Sequence, residues 1–247
     1  VKIYSWSGSS WDQLGQTLYG DSAKDNFGCS VSLSSDGQKI AIGARGDGPN
    51  NIASISGYVK IYSWSGSSWN QSGQTLYGDA IRDQSGHSVS LSDDGGIVAI
   101  GAHQYWGLPG LKAGYVKIYS WSAGSWNQLG QDINGVDTAD FCGSSVSLSS
   151  DGSIVAIGAK GNNANGSRSG HVRIYNWNGS SWNQKGQDIN GEAANDESGN
   201  SVSLSSDGNT IAIGALYNDE NGTNSGHVRV YNFNGTSWNQ SGQDIDG

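Results

Sequence analysis

Four aspartates stand at one aligned place in this 247-residue chain. Asp25, Asp83, Asp140 and Asp196 each lie three residues before a glycine: Gly28, Gly86, Gly143 and Gly199. Carboxylates placed this way could form a ring of ligands for calcium, which takes about six to eight oxygens. The alternative is a local role for each, accepting backbone N–H groups in its own turn. Identical placement in every unit favours the local role; calcium stays the metal candidate for these four.

A second set could bind a ligand. Tyr105-Trp106 has no counterpart elsewhere in the chain. Such a pair offers apolar ring faces to a sugar, or plugs its own loop with Leu108 and Leu111. Arg45-Gly46-Asp47 spells a tripeptide that could be presented to a cell-surface receptor; chance in a Gly- and Asp-rich chain is the plainer account. Tyr217 and Asn218 complete the ligand candidates. Asn218 also joins Asp219, Glu220 and Asn221 in an acidic cluster, whose plainer account is a solvated loop tip.

Catalytic chemistry is not announced by any spacing. His87, His103, His171 and His227 show no metal spacing, and His171 and His227 stand where Tyr58 and Tyr115 stand. There is no nucleophile–base–acid arrangement, phosphate loop or Cys/His zinc pattern above background. Cys29 follows its repeat glycine and Cys142 precedes its own, so the expectation is two unpaired thiols. Asn70, Asn165, Asn178, Asn221, Asn234 and Asn239 fit the glycosylation sequon, several by composition alone.

These residues sit on a repeat. The phrase at residues 1–6 returns at 59–64, 116–121, 172–177 and 228–233, and a second phrase at 30–44 returns at 88–102, 145–159 and 201–215. A fixed period of this size means stacked units. Within one unit, residues 145–148 alternate polar with apolar, as a strand does. A Ser-Asp-Gly turn follows, then a short apolar run suited to a strand buried on both faces. Residues 172–177 alternate again. Asn178-Gly179 predicts a type I′ hairpin, with positive φ at both residues. A Gln-rich fourth strand completes the unit, and no segment has a helical period.

The expected fold is therefore all-β: a β-propeller of four-stranded antiparallel blades, about 57 residues per repeat. Four complete repeats are expected at 19–76, 77–133, 134–189 and 190–247, after an N-terminal half-blade at 1–18. Naming the strands a to d, the a–b and c–d turns share one face, and the b–c and d–a loops the other. The first face is monotonous; the b–c loops hold almost all the variation, which is where function belongs.

Only 34% of residues are hydrophobic, so the 10 Trp and 11 Tyr must supply much of the burial. Net charge is −9 with 13 Lys+Arg, which disfavours nucleic acid and anionic membranes. No apolar run approaches the ~20 residues of a membrane span. With no Met and an opening in mid-phrase, the chain reads as a piece of a longer product.

Asp25-Asn26-Phe27-Gly28, followed by residues 30–36 and 40–44, resembles the FG-GAP repeat of integrin-α-type β-propellers. The resemblance extends over about four units. Phe27-Gly28 alone keeps the literal Phe-Gly; the others read Ser85-Gly86, Cys142-Gly143 and Ser198-Gly199. The proline after Gly-Ala is replaced by Arg45, His103, Lys160 and Leu216. Calcium-binding members use a D-x-D-x-D-G loop, but this chain has only Ser34-Ser35-Asp36-Gly37 there, so calcium is not carried over at that turn.

The functional expectation is a secreted or cell-surface module that binds, on its b–c and d–a loop face, a glycan or a surface protein, and does no chemistry. No cofactor is implied. The alternative is a brick of an extracellular array or filament, self-associating as another chain completes the unpaired half-blade.

Overall fold

A computed structural model describes residues 1–46, 56–103 and 113–247. It is all-β among these residues: four blades and a two-stranded half-blade. Blade 1 comprises strand a (Phe27–Leu33), b (Lys39–Ala44), c (Tyr58–Trp64) and a fourth edge in two pieces, Trp69–Gln71 and Leu76–Tyr77. Blade 2 begins with Ser85–Leu91, blade 3 with Cys142–Leu148 and blade 4 with Ser198–Leu204, each in the same antiparallel order. The half-blade pairs Tyr4–Trp6 with Trp11–Gln13. No helix of the described residues is long and apolar enough to cross a membrane.

Strand a of each blade packs on strand a of the next, so these strands form the inner edge. The core lies between blades. Ile61 and Val59 of blade 1 meet Val89, Val98 and Trp126 of blade 2 in one cluster, for example. Strand b is enclosed on both faces, which suits its Ile-Val-Ala-Ile-Gly-Ala run. Among the described residues, the half-blade ahead of blade 1 has only its two outer strands: Val31 and Leu33 are 54% and 51% exposed, while their equivalents Val89 and Leu91 are buried.

Two local features differ from the sequence reading. The fourth strand is broken because its middle serves the next blade. In blade 2, Gly130 has φ +78, and a Cβ there would meet Trp177 and Trp182 of blade 3 at 2.5 and 3.0 Å. Leu129 O beside it accepts the Trp182 indole N–H at 2.8 Å. The side chain of Gln131 then brackets the Trp182 backbone, donating to its carbonyl and accepting from its N–H. Gln16, Gln74 and Gln187 do the same for Trp69, Trp126 and Trp238.

The Asn178-Gly179 turn is not type I′. Only Gly179 has positive φ, because the Asn178 carboxamide oxygen accepts the N–H groups of Ser180 and Ser181 and holds a four-residue loop. Positive φ at both central residues occurs instead at Ala123-Gly124, where Ser122 pairs with Ser125.

Candidate active site at the inner edge of the loop face

The four aspartates are each spent within their own d–a loop. Asp25, Asp83, Asp140 and Asp196 are all buried. Each is flanked by two left-handed residues that are not glycine, such as Lys24 and Asn26, or Ala139 and Phe141. The carboxylates hold these turns: Asp140 accepts from the N–H groups of Val136 and Asp137, both at 2.9 Å, and Asp196 from that of Ala193 at 3.0 Å. In blades 1 and 2 a strand-c tyrosine adds a hydroxyl, Tyr58 to Asp25 at 2.5 Å and Tyr115 to Asp83 at 2.8 Å. Where His171 and His227 replace tyrosine, Asn162 and Asn218 reach in from the b–c loop, at 3.0 and 3.1 Å. Burial alone would raise the Asp25 carboxyl; the Tyr58 hydroxyl and the N–H groups of Ser22 and Phe27 outweigh it and hold it below 3.8. The structure does not bring the four carboxylates together. Among the described residues, the group of His, Cys, Asp and Glu close enough to share an ion is Glu192, Glu220, His227 and Asp244.

The ligand candidates separate in the same way. Asp47, Tyr105 and Trp106 lie outside the described residues. Tyr217 is 42% exposed on the blade 4 loop, whereas Asn218 is buried beneath it. Arg45 directly follows strand b of blade 1. Neither Cys29 nor Cys142 is in a disulfide, and burial pushes the Cys142 thiol up to about 12.

Arg45 belongs to a group that spacing alone does not reveal. The residues just past strand b are Arg45, His103 and Lys160 in blades 1 to 3, and all three come to the inner edge of the loop face. Strand a of blade 2 contributes His87. Its ladder skips from the pair Ser85–Ala102 to Ser88–Gly101, so Gly86 and His87 bulge out. The bulge stacks the His87 ring on His103, with centroids 3.6 Å apart and planes at 23°. Phe141 of blade 3 closes on His103 at 5.8 Å. Lys160 Nζ donates to Asn200 Oδ1 at 3.3 Å and lies 3.8 Å from Glu197, which also pairs with Arg168. Burial, then the neighbouring His87, Lys160 and Arg45, hold the His103 imidazole well below 6.5. It is therefore neutral at pH 7. The His103 Nδ1 atom is buried without a hydrogen-bond partner. The one sequence signal for this group is the replacement of the family proline by three basic residues.

The FG-GAP repeat family matches residues 19–60 and 190–231, in the first and last blades. No curated protein matches the chain. Among solved structures, the periplasmic gluconolactonase of Pseudomonas aeruginosa is 17% identical, covering 100% of this chain and 64% of its own, with a TM-score of 0.63. A "putative 6-phosphogluconolactonase" from Bacteroides uniformis ATCC 8492 is 14% identical over 96% of this chain and 60% of its own, with a TM-score of 0.60. Hydrazine synthase of Kuenenia stuttgartiensis is 12% identical over 94% and 52%, with a TM-score of 0.57. The chain thus spans less than two thirds of each of these proteins, and at such identities the likeness establishes the fold. It also corrects the functional expectation. The neighbours are lactonases and a synthase, so the reading of a propeller that only adheres, or only spaces an array, is withdrawn. The chain is a β-propeller whose first and last blades match the FG-GAP repeat model.

Proposed function

We propose that this chain is part of a propeller hydrolase that opens a sugar lactone at the inner edge of its loop face. The observation that carries the reading is the neutral, stacked His103 set beside Arg45 and Lys160. The likeness of fold to two lactonases supports it. In the reaction, water adds to the lactone carbonyl, the ring C–O bond breaks, and a hydroxy acid leaves. Such a step needs a base that is unprotonated at neutral pH and positive charge near the forming oxyanion. His103 takes the proton from water and later returns it to the ring oxygen. Arg45 and Lys160 stabilise the oxyanion and attract an acidic product or a phosphorylated sugar.

The test is hydrolysis of glucono-δ-lactone and its 6-phosphate in a pH-stat, against the spontaneous rate. The expected result is a rate above background that falls about a hundredfold in His103→Gln. No acceleration by the folded chain, or an unchanged rate in His103→Gln, sinks the proposal. We also infer export beyond the cytoplasmic membrane, supported by the periplasmic neighbour; recovery of the protein only in the cytoplasmic fraction of its source would oppose it.

A further inference from the structure

We propose that blade 4 holds a binding site for a divalent transition-metal ion, made by Glu192, Glu220, His227 and Asp244. One donor atom from each lies within 4.8 Å of the others. Glu192 comes from the d–a loop before blade 4 and Glu220 from its b–c loop. His227 opens strand c, and Asp244 lies between the two pieces of the fourth strand. This places all four on the loop face, apart from the His103 group and independent of the hydrolase reading.

A second observation points to a ligand. His227 is 7% exposed, and its Nδ1 has no hydrogen-bond partner. That atom faces into the cluster, 3.7 Å from Asp244 Oδ2, too far for a hydrogen bond. A buried imidazole nitrogen without a partner is costly unless something completes it. His227 also lines a solvent-open cavity of about 340 Å³ with Val228, Ile245 and Asp246.

Charge fits a dication. Three carboxylates face one guanidinium: Arg229 Nη2 lies 2.5 Å from both Glu192 Oε2 and Asp244 Oδ2. Three carboxylates against one guanidinium leave two negative charges. An incoming ion shares these carboxylates with Arg229, whose partners hold the site in shape before it arrives. One imidazole with carboxylates suits manganese, iron or zinc, whereas calcium and magnesium prefer oxygen alone.

The chain carries its own control. Blade 3 retains His171, Arg173 and Asp188 at the equivalent places, with Arg173 paired to Asp188. Val136 and Ala164 stand there for Glu192 and Glu220. Blades 1 and 2 have Tyr58 and Tyr115 in place of the histidine.

The test is isothermal titration of the chelator-treated, dialysed chain with ZnCl₂ and with MnCl₂, and the Mn(II) EPR signal. One ion per chain is expected. His227→Tyr and Glu220→Ala each borrow a residue from another blade and should weaken binding about tenfold or more. His171→Tyr should leave it unchanged. Circular dichroism checks folding, and Glu220→Ala, on an exposed loop, serves if His227→Tyr does not fold. Absence of binding at millimolar metal overturns the proposal. So does equal affinity in Glu220→Ala, or loss of affinity in His171→Tyr.

Discussion

Gln131→Met isolates what joins one blade to the next. The wild-type carboxamide donates to Trp182 O at 2.8 Å and accepts from Trp182 N at 3.2 Å. Methionine keeps the length of the side chain and makes neither bond. Two neutral hydrogen bonds at about 1 kcal/mol each give a loss of about 2 kcal/mol. The Trp182 indole keeps its bond to Leu129 O, so the ring should stay seated. In a repeat array the loss falls on a single interface. For a slope of about 3 kcal/mol per molar urea, the unfolding midpoint should fall by about 0.7 M. Urea titration by tryptophan fluorescence measures it, and amide exchange at Trp182 locates it. Gln243→Met is the control: Gln243 is at the same place in blade 4, exposed, and makes no hydrogen bond among the described residues. If Gln131→Met and Gln243→Met share a midpoint, the clasp contributes nothing and the account of blade cohesion is wrong.

Two further outcomes are expected. Asn162→Ala removes the amide that reaches Asp140 and should cost about 1–3 kcal/mol, and adding His171→Tyr should restore part of it by supplying the hydroxyl used in blades 1 and 2. A double-mutant cycle with no coupling between the two positions would refute this. Stability should fall with acid in two stages. His103 and His171 are depressed below 6.5 in the fold, so the unfolded chain binds protons first and stability declines as pH drops from about 6.5 toward their folded values. Asp25, Asp94, Asp151 and Asp188 are held below 3.8, so what they contribute persists above the unfolded value and is lost as pH falls through their folded values. A midpoint that stays level from pH 7 to pH 5, measured by urea titration at each pH, would contradict the histidine stage.

The period, the four strands of each unit and the N-terminal half-blade were legible because they depend on local alternation and on turns. The break in the fourth strand was not. It exists because Gly130 and its equivalents must admit a tryptophan from the next blade, a contact about fifty residues away in sequence. The Asn178 turn was misjudged for a local reason: the side chain of Asn178 competes for the N–H groups that a type I′ turn leaves free. The aspartates' capping role was visible in their even placement. The His87–His103 stack was hidden, since it needs both the antiparallel pairing of Ser85 with Ala102 and the bulge just after it.

Comparison between blades separates cohesion from chemistry. A strand-c cation meets an acid of the preceding d–a loop three times: Lys60 with Asp21, Lys117 with Asp79, and Arg229 with Glu192. In blade 3 Val136 breaks that pattern, and Arg173 pairs with Asp188. The loop aspartate is likewise always satisfied, by a tyrosine in two blades and an asparagine in two. Once the asparagine takes over, the tyrosine position is released from that duty. It becomes an imidazole in blades 3 and 4, and only in blade 4 do two glutamates gather about it. The same release explains His103, which stands where the family places a proline and nothing in the ladder requires a particular side chain. Function in this propeller is therefore to be sought where the repeat has freed a residue from holding the blades together.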